Sequence, residues 1–253
     1  AALEEINIPK KLEKIGFQAF YGCALLTEAE IPATVKEIEL FAWEGCNALT
    51  AVHIDPKNAN YKDEDGILFN KDGSTLFLYP SAKEDTEYTV PASVHRVEDF
   101  AFIGNPYLKQ VDISGITYLG EDAFYYCTAL ESIELPDAVT ELKGSVFGSC
   151  TALESVRLPA QLTYIGDSCF YGCVHLKEID IPETVETIGS YAFLNCGSLQ
   201  RIVLPNTVKR IGSNAFNGCS MLSDINWSPA LKTIENAAFE KCASLRELIF
   251  PNG

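Results

Sequence analysis

The chain has 253 residues and carries 35 acidic against 19 basic side chains, which gives a formal net charge of −16. This charge argues against a nucleic-acid-binding protein, which needs a basic stripe to meet phosphates, and against docking on anionic lipid. The sequence contains no run of about 18 apolar residues, so it predicts no transmembrane span. The acidity is consistent with a soluble, self-repelling protein or with a cationic partner.

The first 53 residues contain the end of one repeat and two complete units. Because residues 1–8 read as a closing strand, we expect the sequence to start inside a repeat, in a mature or trimmed chain without its targeting segment. Residues 249–251 follow directly on a predicted strand and include no polar cap. We therefore expect both ends to be truncated, since an uncapped end exposes core.

Residues 55–89 form an irregular unit that lacks the regular motif. Apolar runs at residues 67–69 and 76–79 flank the turn residues 71–74, which predicts a β-hairpin. The hairpin is expected either as a lateral projection or as a local interruption of the array. The acidic stretch YKDEDG at residues 61–66 is interpreted as a solvated turn, because a calcium loop aligned on Gly66 would have Tyr61 as its first ligand.

Seven further regular units follow from Val90. The nine units follow the template I/L-P-x-x-V/L-x-x-I/L-G-x-x-A-F-x-x-C-x-x-L-x-x-I/V with exceptions at single positions, and the glycine is present in five of them. The period is 23 residues in most units. The aromatic position is filled by Phe20, Trp43, Phe102, Phe124, Phe147, Phe170, Phe193, Phe216 and Phe239. No unit can bury its apolar residues alone, so neighbouring units must stack on one continuous core, as in a solenoid.

Each unit predicts a short strand at L-x-x-I-x-I/L-P. Ile179 and Ile181 alternate with Glu178 and Asp180, as in a half-buried strand, and the following Pro182 ends the strand. The segment V-x-x-I-G suggests a second short strand, and S-x-A-F-x-x-C is predicted to form a single helical turn. The predicted fold is an α/β repeat solenoid with a parallel sheet, in one domain over residues 1–253.

This repeat resembles the BspA-like, Treponema-type leucine-rich-repeat family in its 23-residue spacing and in its IP…V..IG..AF..C..L order, over nearly the whole chain. The resemblance implies a curved right-handed solenoid with a concave sheet, and it supports the hairpin-bearing unit. It also implies extracellular or cell-surface proteins of bacteria with adhesion or protein-binding roles and without catalysis. Host matrix proteins are the partners that the resemblance leads us to expect.

Eight of the nine cysteines lie in one column, and the ninth, Cys169, takes the place of the alanine before the aromatic residue. We interpret the column as buried thiols, with Asn105 as a polar substitute in one unit. Stacked neighbours would lie within disulfide distance, but their Cβ vectors would be parallel. Cys169 and Cys173 have a spacing compatible with a metal only if two more ligands converge, and nearby His175 is expected to face away, so no metal or cofactor is predicted.

Catalytic motifs are absent from the sequence, which contains no GxSxG, HExxH, Walker A or GxGxxG pattern. The three histidines fall at unrelated repeat positions, and a chance pair of carboxylates is expected among so many. We therefore predict that the protein is not an enzyme.

Residues between the buried positions of the strands form two exposed columns, which run from Glu5 and Asn7 to Glu247 and Ile249. Side chains vary along these columns while the core is constant, as expected of a binding surface on a fixed scaffold. The candidate binding residues are Glu134, Arg157, Glu178, Asp180, Arg201 and Asp224. We expect Arg157 between Glu134 and Asp180, and Arg201 near Glu178 and Asp224, with each pair contributing about 0.2–1 kcal/mol.

Two functions remain open at this stage. The chain is either a recognition module that binds a protein or glycan through the concave sheet or the hairpin, or a structural spacer that holds other domains away from the cell. The mixed-charge patch around residues 155–224 either binds a partner or only stabilises the sheet. The identity of the ligand and the oligomeric state are left open.

Overall fold

The computed structural model describes residues 3–246. It is a parallel-strand solenoid of about ten turns, as predicted. The predicted strand at residues 247–250 and the columns' last members, Glu247 and Ile249, lie outside the described residues. Within residues 3–246 the strands are β1 (Lys14–Ile15), β2 (Glu28–Ile31), β3 (Glu37–Ile38), β4 (Ala51–Ile54), β5 (Tyr61–Glu64), β6 (Ile67–Asn70), β7 (Thr75–Leu78), β8 (Glu87–Thr89), β9 (Arg96–Val97), β10 (Gln110–Asp112), β11 (Tyr118–Leu119), β12 (Ser132–Glu134), β13 (Ser155–Arg157), β14 (Tyr164–Ile165), β15 (Thr187–Ile188), β16 (Arg201–Val203), β17 (Arg210–Ile211), β18 (Asp224–Asn226) and β19 (Thr233–Ile234).

Both predicted sets of strands are present. The face strands of three or four residues pair in parallel in the groups β2–β4, β8–β10–β12–β13 and β16–β18. The two-residue strands pair in parallel in the groups β1–β3, β9–β11 and β14–β15–β17–β19. Residues 177–181 keep the alternation of buried and exposed side chains but lack the paired bonds of a strand. The sheet of face strands is therefore interrupted between β13 and β16.

The predicted helical turn is wrong, because the structure contains no helix within residues 3–246. The segment around each aromatic residue is a turn with two left-handed residues, two positions before and two positions after the aromatic. Around Phe193 these are Tyr191 and Asn195, with φ of 59° and 61°. Two positive φ angles so close together cannot continue a right-handed helix. The N–H groups donate instead to the turn of the next repeat, as when Phe193 N–H donates to the Ala215 carbonyl at 2.7 Å.

Aromatic rings and thiols fill the core beneath these turns. The rings from Phe102 to Phe239 form a continuous stack, with centroids 4.7–5.7 Å apart and interplanar angles of 4–15°. The cysteine column is buried and all nine thiols are free. In the column, each thiol from Cys46 onward donates a hydrogen bond to the carbonyl of the aromatic residue in the repeat directly before it. Cys196 Sγ, for example, donates to Phe170 O at 3.1 Å. A small apolar group with one weak donor fits this position.

Close approach between repeats explains the glycine that ends the V-x-x-I-G strand. A Cβ added to Gly212 would lie 2.5 Å from the Ser190 nitrogen in the preceding repeat. At Gly16, which has no such neighbour, the nearest atom would be a Glu39 carboxylate oxygen at 3.8 Å. At Gly212 this close approach leaves no room for a side chain, whereas Glu39, Lys143 and Glu235 occupy the same position in other units.

The irregular unit contains the predicted hairpin, since β6 and β7 are antiparallel. An additional strand, β5, pairs antiparallel with β6, so the solvated turn predicted for residues 61–66 is wrong except at Asp65 and Gly66. Strand β5 forms because Tyr61 is buried, accepts a hydrogen bond from Ile38 N–H at 3.0 Å and packs on Phe77. The unit lies within the stack, because β7 pairs with β9 and two clusters of buried residues meet at β6.

Candidate recognition surface on the strand face

The strand face is the exposed surface of the face strands together with residues 177–181. All six candidate residues lie exposed on it: Glu134, Arg157, Glu178, Asp180, Arg201 and Asp224. Their positions follow from strand alternation, in which apolar residues such as Val156 and Ile202 are buried and the residues next to them are exposed.

Arg157 is directly opposite Glu134 in the β12–β13 pair, as predicted, but its ion pair is elsewhere. Among residues 3–246, neither Glu134 nor Asp180 forms an ion pair with it. The Arg157 guanidinium contacts both carboxylate oxygens of Asp137 at 3.2 Å and donates to the Leu135 carbonyl at 2.8 Å. Both terminal nitrogens of Arg157 are used: Nη2 contacts the two carboxylate oxygens of Asp137, and Nη1 donates to the Leu135 carbonyl.

Asp137 is a residue that the sequence analysis missed. It follows the strand directly after Pro136, and Ala160 N–H donates to its carboxylate at 3.0 Å. This backbone hydrogen bond, and then the Arg157 guanidinium, lower the pKa of the Asp137 carboxyl from its ordinary value. The aspartate after the proline is a signal that could have identified this side chain as a neighbour of the face.

Arg201 forms the predicted ion pair with Asp224, with Nε 3.2 Å from the carboxylate. Glu178 forms no ion pair with Arg201 within the described chain. Arg201 and Asp224 are each about two-thirds exposed, so this pair contributes at most about 1 kcal/mol. Of the six candidate residues, Arg201 and Asp224 thus form an ion pair with each other. The carboxylates of Glu134, Glu178 and Asp180 form no ion pair within residues 3–246, and they are called uncompensated below.

A shallow depression of about 670 Å³ gathers three of the six residues. Glu134, Arg157 and Asp180 line it together with Glu183, which the sequence analysis did not include, and with Ser132 and Ser155 between them. Carboxylates outnumber the single guanidinium in this lining. The depression therefore favours a ligand that presents cationic or hydrogen-bond-donating groups.

Near the start of the chain the same face includes His53. Its ring nitrogens lie 3.8 Å from the carboxylates of Glu28 and Asp63. Asp63 comes from the unpredicted strand β5, and it also accepts a hydrogen bond from Ile54 N–H at 2.8 Å. The irregular unit thus contributes a side chain to the strand face, which the sequence did not indicate.

The described residues 3–246 contain no group of three or more His, Cys, Asp or Glu side chains that could hold a metal ion. His175 is exposed and its Nδ1 lies 2.6 Å from the Thr151 carbonyl, whereas Cys169 and Cys173 are buried. In the same part of the chain, no helical segment has the length and apolar composition needed to span a bilayer.

Comparison with known proteins shows the same class of structure. A leucine-rich-repeat protein from Eubacterium ventriosum is 31% identical, with a TM-score of 0.87 over 94% of this chain and 64% of its own. A leucine-rich cell-surface protein from Faecalibacterium prausnitzii is 32% identical, with a TM-score of 0.63 over 87% of this chain and 52% of its own. The pneumococcal vaccine antigen PcpA is 26% identical, with a TM-score of 0.71 over 88% of this chain and 67% of its own. No curated protein matches the chain.

The fold is therefore that of a leucine-rich-repeat solenoid. The profile of the BspA-type leucine-rich-repeat region matches residues 1–67, 77–197 and 145–253, in six copies. The chain belongs to this family, as the repeat pattern predicted. Such solenoids are typically non-catalytic, and membership suggests a role in protein binding or adhesion. The chain spans 64% and 52% of the length of the first two structural relatives, both longer proteins.

Proposed function

We propose that the chain is a non-enzymatic recognition module of an extracellular or cell-surface protein, which binds a protein or glycan through the strand face. One observation carries this proposal: the depression at Glu134, Arg157 and Asp180 presents uncompensated carboxylates on a rigid backbone. Its surroundings differ from repeat to repeat, while the core beneath them is constant. The relatives described as a cell-surface protein and a vaccine antigen support the location.

The partner that fits this surface exposes cationic or hydrogen-bond-donating groups, and a basic region of a host matrix protein meets that requirement. Association with such a partner is steered by charge and weakens with salt. We further propose that residues 1–253 act as one unit in this recognition.

The test is binding of the purified chain to a panel of matrix proteins and glycans at low and at physiological salt. The Glu134→Gln/Asp180→Asn variant removes two charges from the depression without a change of side-chain shape. The matched control is Glu154→Gln/Glu186→Gln, which removes two carboxylates that form ion pairs with Lys177 and Lys209 away from the depression. We expect at least a tenfold loss of affinity in the first variant and little change in the control.

A spacer role is the second candidate, and one observation favours it. Arg157 and Arg201 both form ion pairs with carboxylates of this chain, so part of the charge of the mixed-charge patch is neutralised within the protein itself. Charge reversal with Arg157→Glu/Arg201→Glu separates the two roles. If the chain binds nothing on the panel, or if the reversal leaves the binding unchanged, the patch only stabilises the sheet.

A further inference from the structure

The turn segments opposite the strand face are joined by columns of hydrogen bonds. In the turn around Phe193, the N–H groups of Tyr191, Phe193 and Asn195 donate to three carbonyls of the next turn at 2.7–2.8 Å. Three such bonds join each consecutive pair of turns from the Phe102 turn to the Phe239 turn. Every one of these peptide units has its carbonyl toward the preceding repeat and its N–H toward the following one, so their dipoles align as in a helix.

The columns are interrupted where the irregular unit lacks a regular turn. The donors of the preceding turn are the N–H groups of Phe41, Trp43 and Gly45. Within residues 3–246 none of these three N–H groups has an acceptor. The equivalent N–H groups of Phe20 and Gly22, one repeat earlier, donate at 2.8 Å to the turn around Trp43.

Across the interruption, the turn around Phe102 presents the matching acceptors. Its central acceptor, the Ala101 carbonyl, accepts from Tyr79 N–H at 2.7 Å. The flanking carbonyls of Asp99 and Ile103 accept no hydrogen bond from any described residue. Donors therefore line one wall of the interruption and acceptors line the other.

The Trp43 side chain contains an unpaired donor without solvent-accessible surface. Tryptophan occupies the position where the other regular units have phenylalanine, and Trp43 is only 8% exposed. Its indole Nε1 is the one buried side-chain nitrogen or oxygen within residues 3–246 that has no hydrogen-bond partner. An unpaired buried donor of this kind costs free energy and requires an explanation.

The glycine that follows the aromatic by two positions shows that the space is open. Gly172 has φ of 71°, and a Cβ added to it would lie 3.5 Å from Ser149 in the preceding turn. Gly104 has nearly the same φ, 72°, but a Cβ added there would meet nothing within 4 Å. The open space is a cleft of about 500 Å³ lined by Trp43, Leu78, Gly104 and other residues.

The cleft has an apolar lining and an acidic border. The aromatic rings of Tyr125 and Tyr126 contribute to the lining, and Glu44 lies at the border. Burial first, then the Glu121 carboxylate, and to a smaller extent those of Asp99 and Glu44, raise the pKa of the nearby Asp122 carboxyl to about 6. A cation placed in the cleft would meet the Glu44 carboxylate and, on the wall formed by the Phe102 turn, the Ile103 carbonyl.

We propose that this cleft binds an extended peptide segment of a partner protein that carries a basic side chain. The segment's carbonyls accept hydrogen bonds from Trp43 and Gly45 N–H, and one of its own N–H groups donates to the Ile103 carbonyl. The Phe41 and Phe100 rings, whose centroids are 3.8 Å apart, close the other end of the interruption. This mode resembles the addition of a strand to a sheet edge, in which main-chain bonds supply affinity. The basic side chain lies toward Glu44, and an apolar side chain packs against the aromatic lining. The site is separate from the strand face and does not depend on the function proposed for it.

The test starts from a random octapeptide library displayed on phage and selected on the immobilised full chain. The most enriched peptide is synthesised with a fluorescent label, and its affinity is measured by anisotropy. We expect it to contain Lys or Arg. The Gly104→Asn variant places a side chain in the cleft, and Gly172→Asn is the matched control with the same backbone conformation. We expect at least a tenfold loss of affinity in the first and no change in the second.

The Trp43→Phe variant reduces the apolar lining of the cleft with a residue that the other repeats use at this position. We expect it to fold as the parent does and to bind the peptide about twofold to tenfold more weakly, because less apolar surface is buried. The Arg157→Glu/Arg201→Glu variant should bind the peptide normally. The proposal is overturned if no peptide is enriched over the empty support, if Gly104→Asn binds as tightly as Gly172→Asn, or if only the strand-face variant loses binding.

Discussion

The buried thiols predict a steep loss of stability above about pH 9. Six cysteine side chains have no exposed surface, namely Cys127, Cys150, Cys169, Cys173, Cys196 and Cys219. Burial raises the pKa of each thiol above its ordinary value of 9.0, and the pKa of Cys127 reaches about 12. Because the folded pKa is raised, the stabilisation is fully present below pH 9 and is lost as the pH rises toward 12.

The magnitude follows from the free energy of ionising each thiol in the unfolded chain. At about pH 10, one unit above the pKa of a thiol in the unfolded chain, each thiol that stays neutral in the folded protein lowers the free energy of unfolding by about 1.4 kcal/mol. Six such thiols lower the free energy of unfolding by about 8 kcal/mol. This approaches the whole stability of a typical domain, roughly 5–15 kcal/mol.

The assay is urea unfolding followed by circular dichroism at about pH 8, 9 and 10, with a phosphine reductant to keep the thiols free. A Cys173→Ala/Cys196→Ala variant provides the comparison, because its other titrating groups are unchanged. Between about pH 9 and pH 10 its stability should fall by about 2 kcal/mol less than that of the parent. Equal slopes in the two proteins would refute the reasoning, since they would mean that these thiols ionise without unfolding.

Three further substitutions test the packing between repeats by urea unfolding. Gly212→Ala should cost about 1–3 kcal/mol or more because its Cβ would lie 2.5 Å from backbone, whereas Gly16→Ala, with its nearest atom at 3.8 Å, should be nearly neutral. Phe193→Ala opens a cavity in the ring stack and should cost about 3–5 kcal/mol; a much smaller loss would show that the stack collapses around it. Asn105→Ala removes four hydrogen bonds, two of them buried and two partly buried, and should cost at least about 2 kcal/mol, with the loss centred on the irregular unit.

The repeat alone was enough to predict the fold, the two sets of strands and the hairpin at β6 and β7. It was not enough for the turns. The left-handed residue two positions before the aromatic is never glycine, and it varies from Gln18 and Phe41 to Tyr191 and Ala237. A backbone that is fixed by hydrogen bonds to the next repeat leaves no local signal in its own sequence. Strand β5 was missed for a similar reason, because its anchor is a tertiary contact of Tyr61 with Ile38 and Phe77.

On the strand face, alternation predicted which side chains are exposed and which lie opposite each other. It did not predict the partner of Arg157, because a long guanidinium can reach several carboxylates from one Cα position. The choice of Asp137 depends on the loop after Pro136, where Ala160 N–H and the Leu135 carbonyl hold both groups in place. The repeat therefore predicts which residues lie in each exposed column, but it does not predict the contacts of long charged side chains.

The two surfaces of the solenoid differ in how a new binding site can arise on them. Where the face strands pair, as in β12–β13, backbone groups are satisfied by the neighbouring strand, so exposed side chains such as Glu134 and Arg157 can change without loss of these bonds. The turn face is the opposite surface, formed by the turns around the aromatic residues. There the backbone of each regular turn is hydrogen-bonded to the next turn, and the glycines and aromatic residues are fixed by packing. Inside the array, within residues 3–246, a missing turn leaves polar backbone groups available on this face. The irregular unit, which omits the turn between Trp43 and Phe102, is therefore the place where this face offers a ligand its main chain.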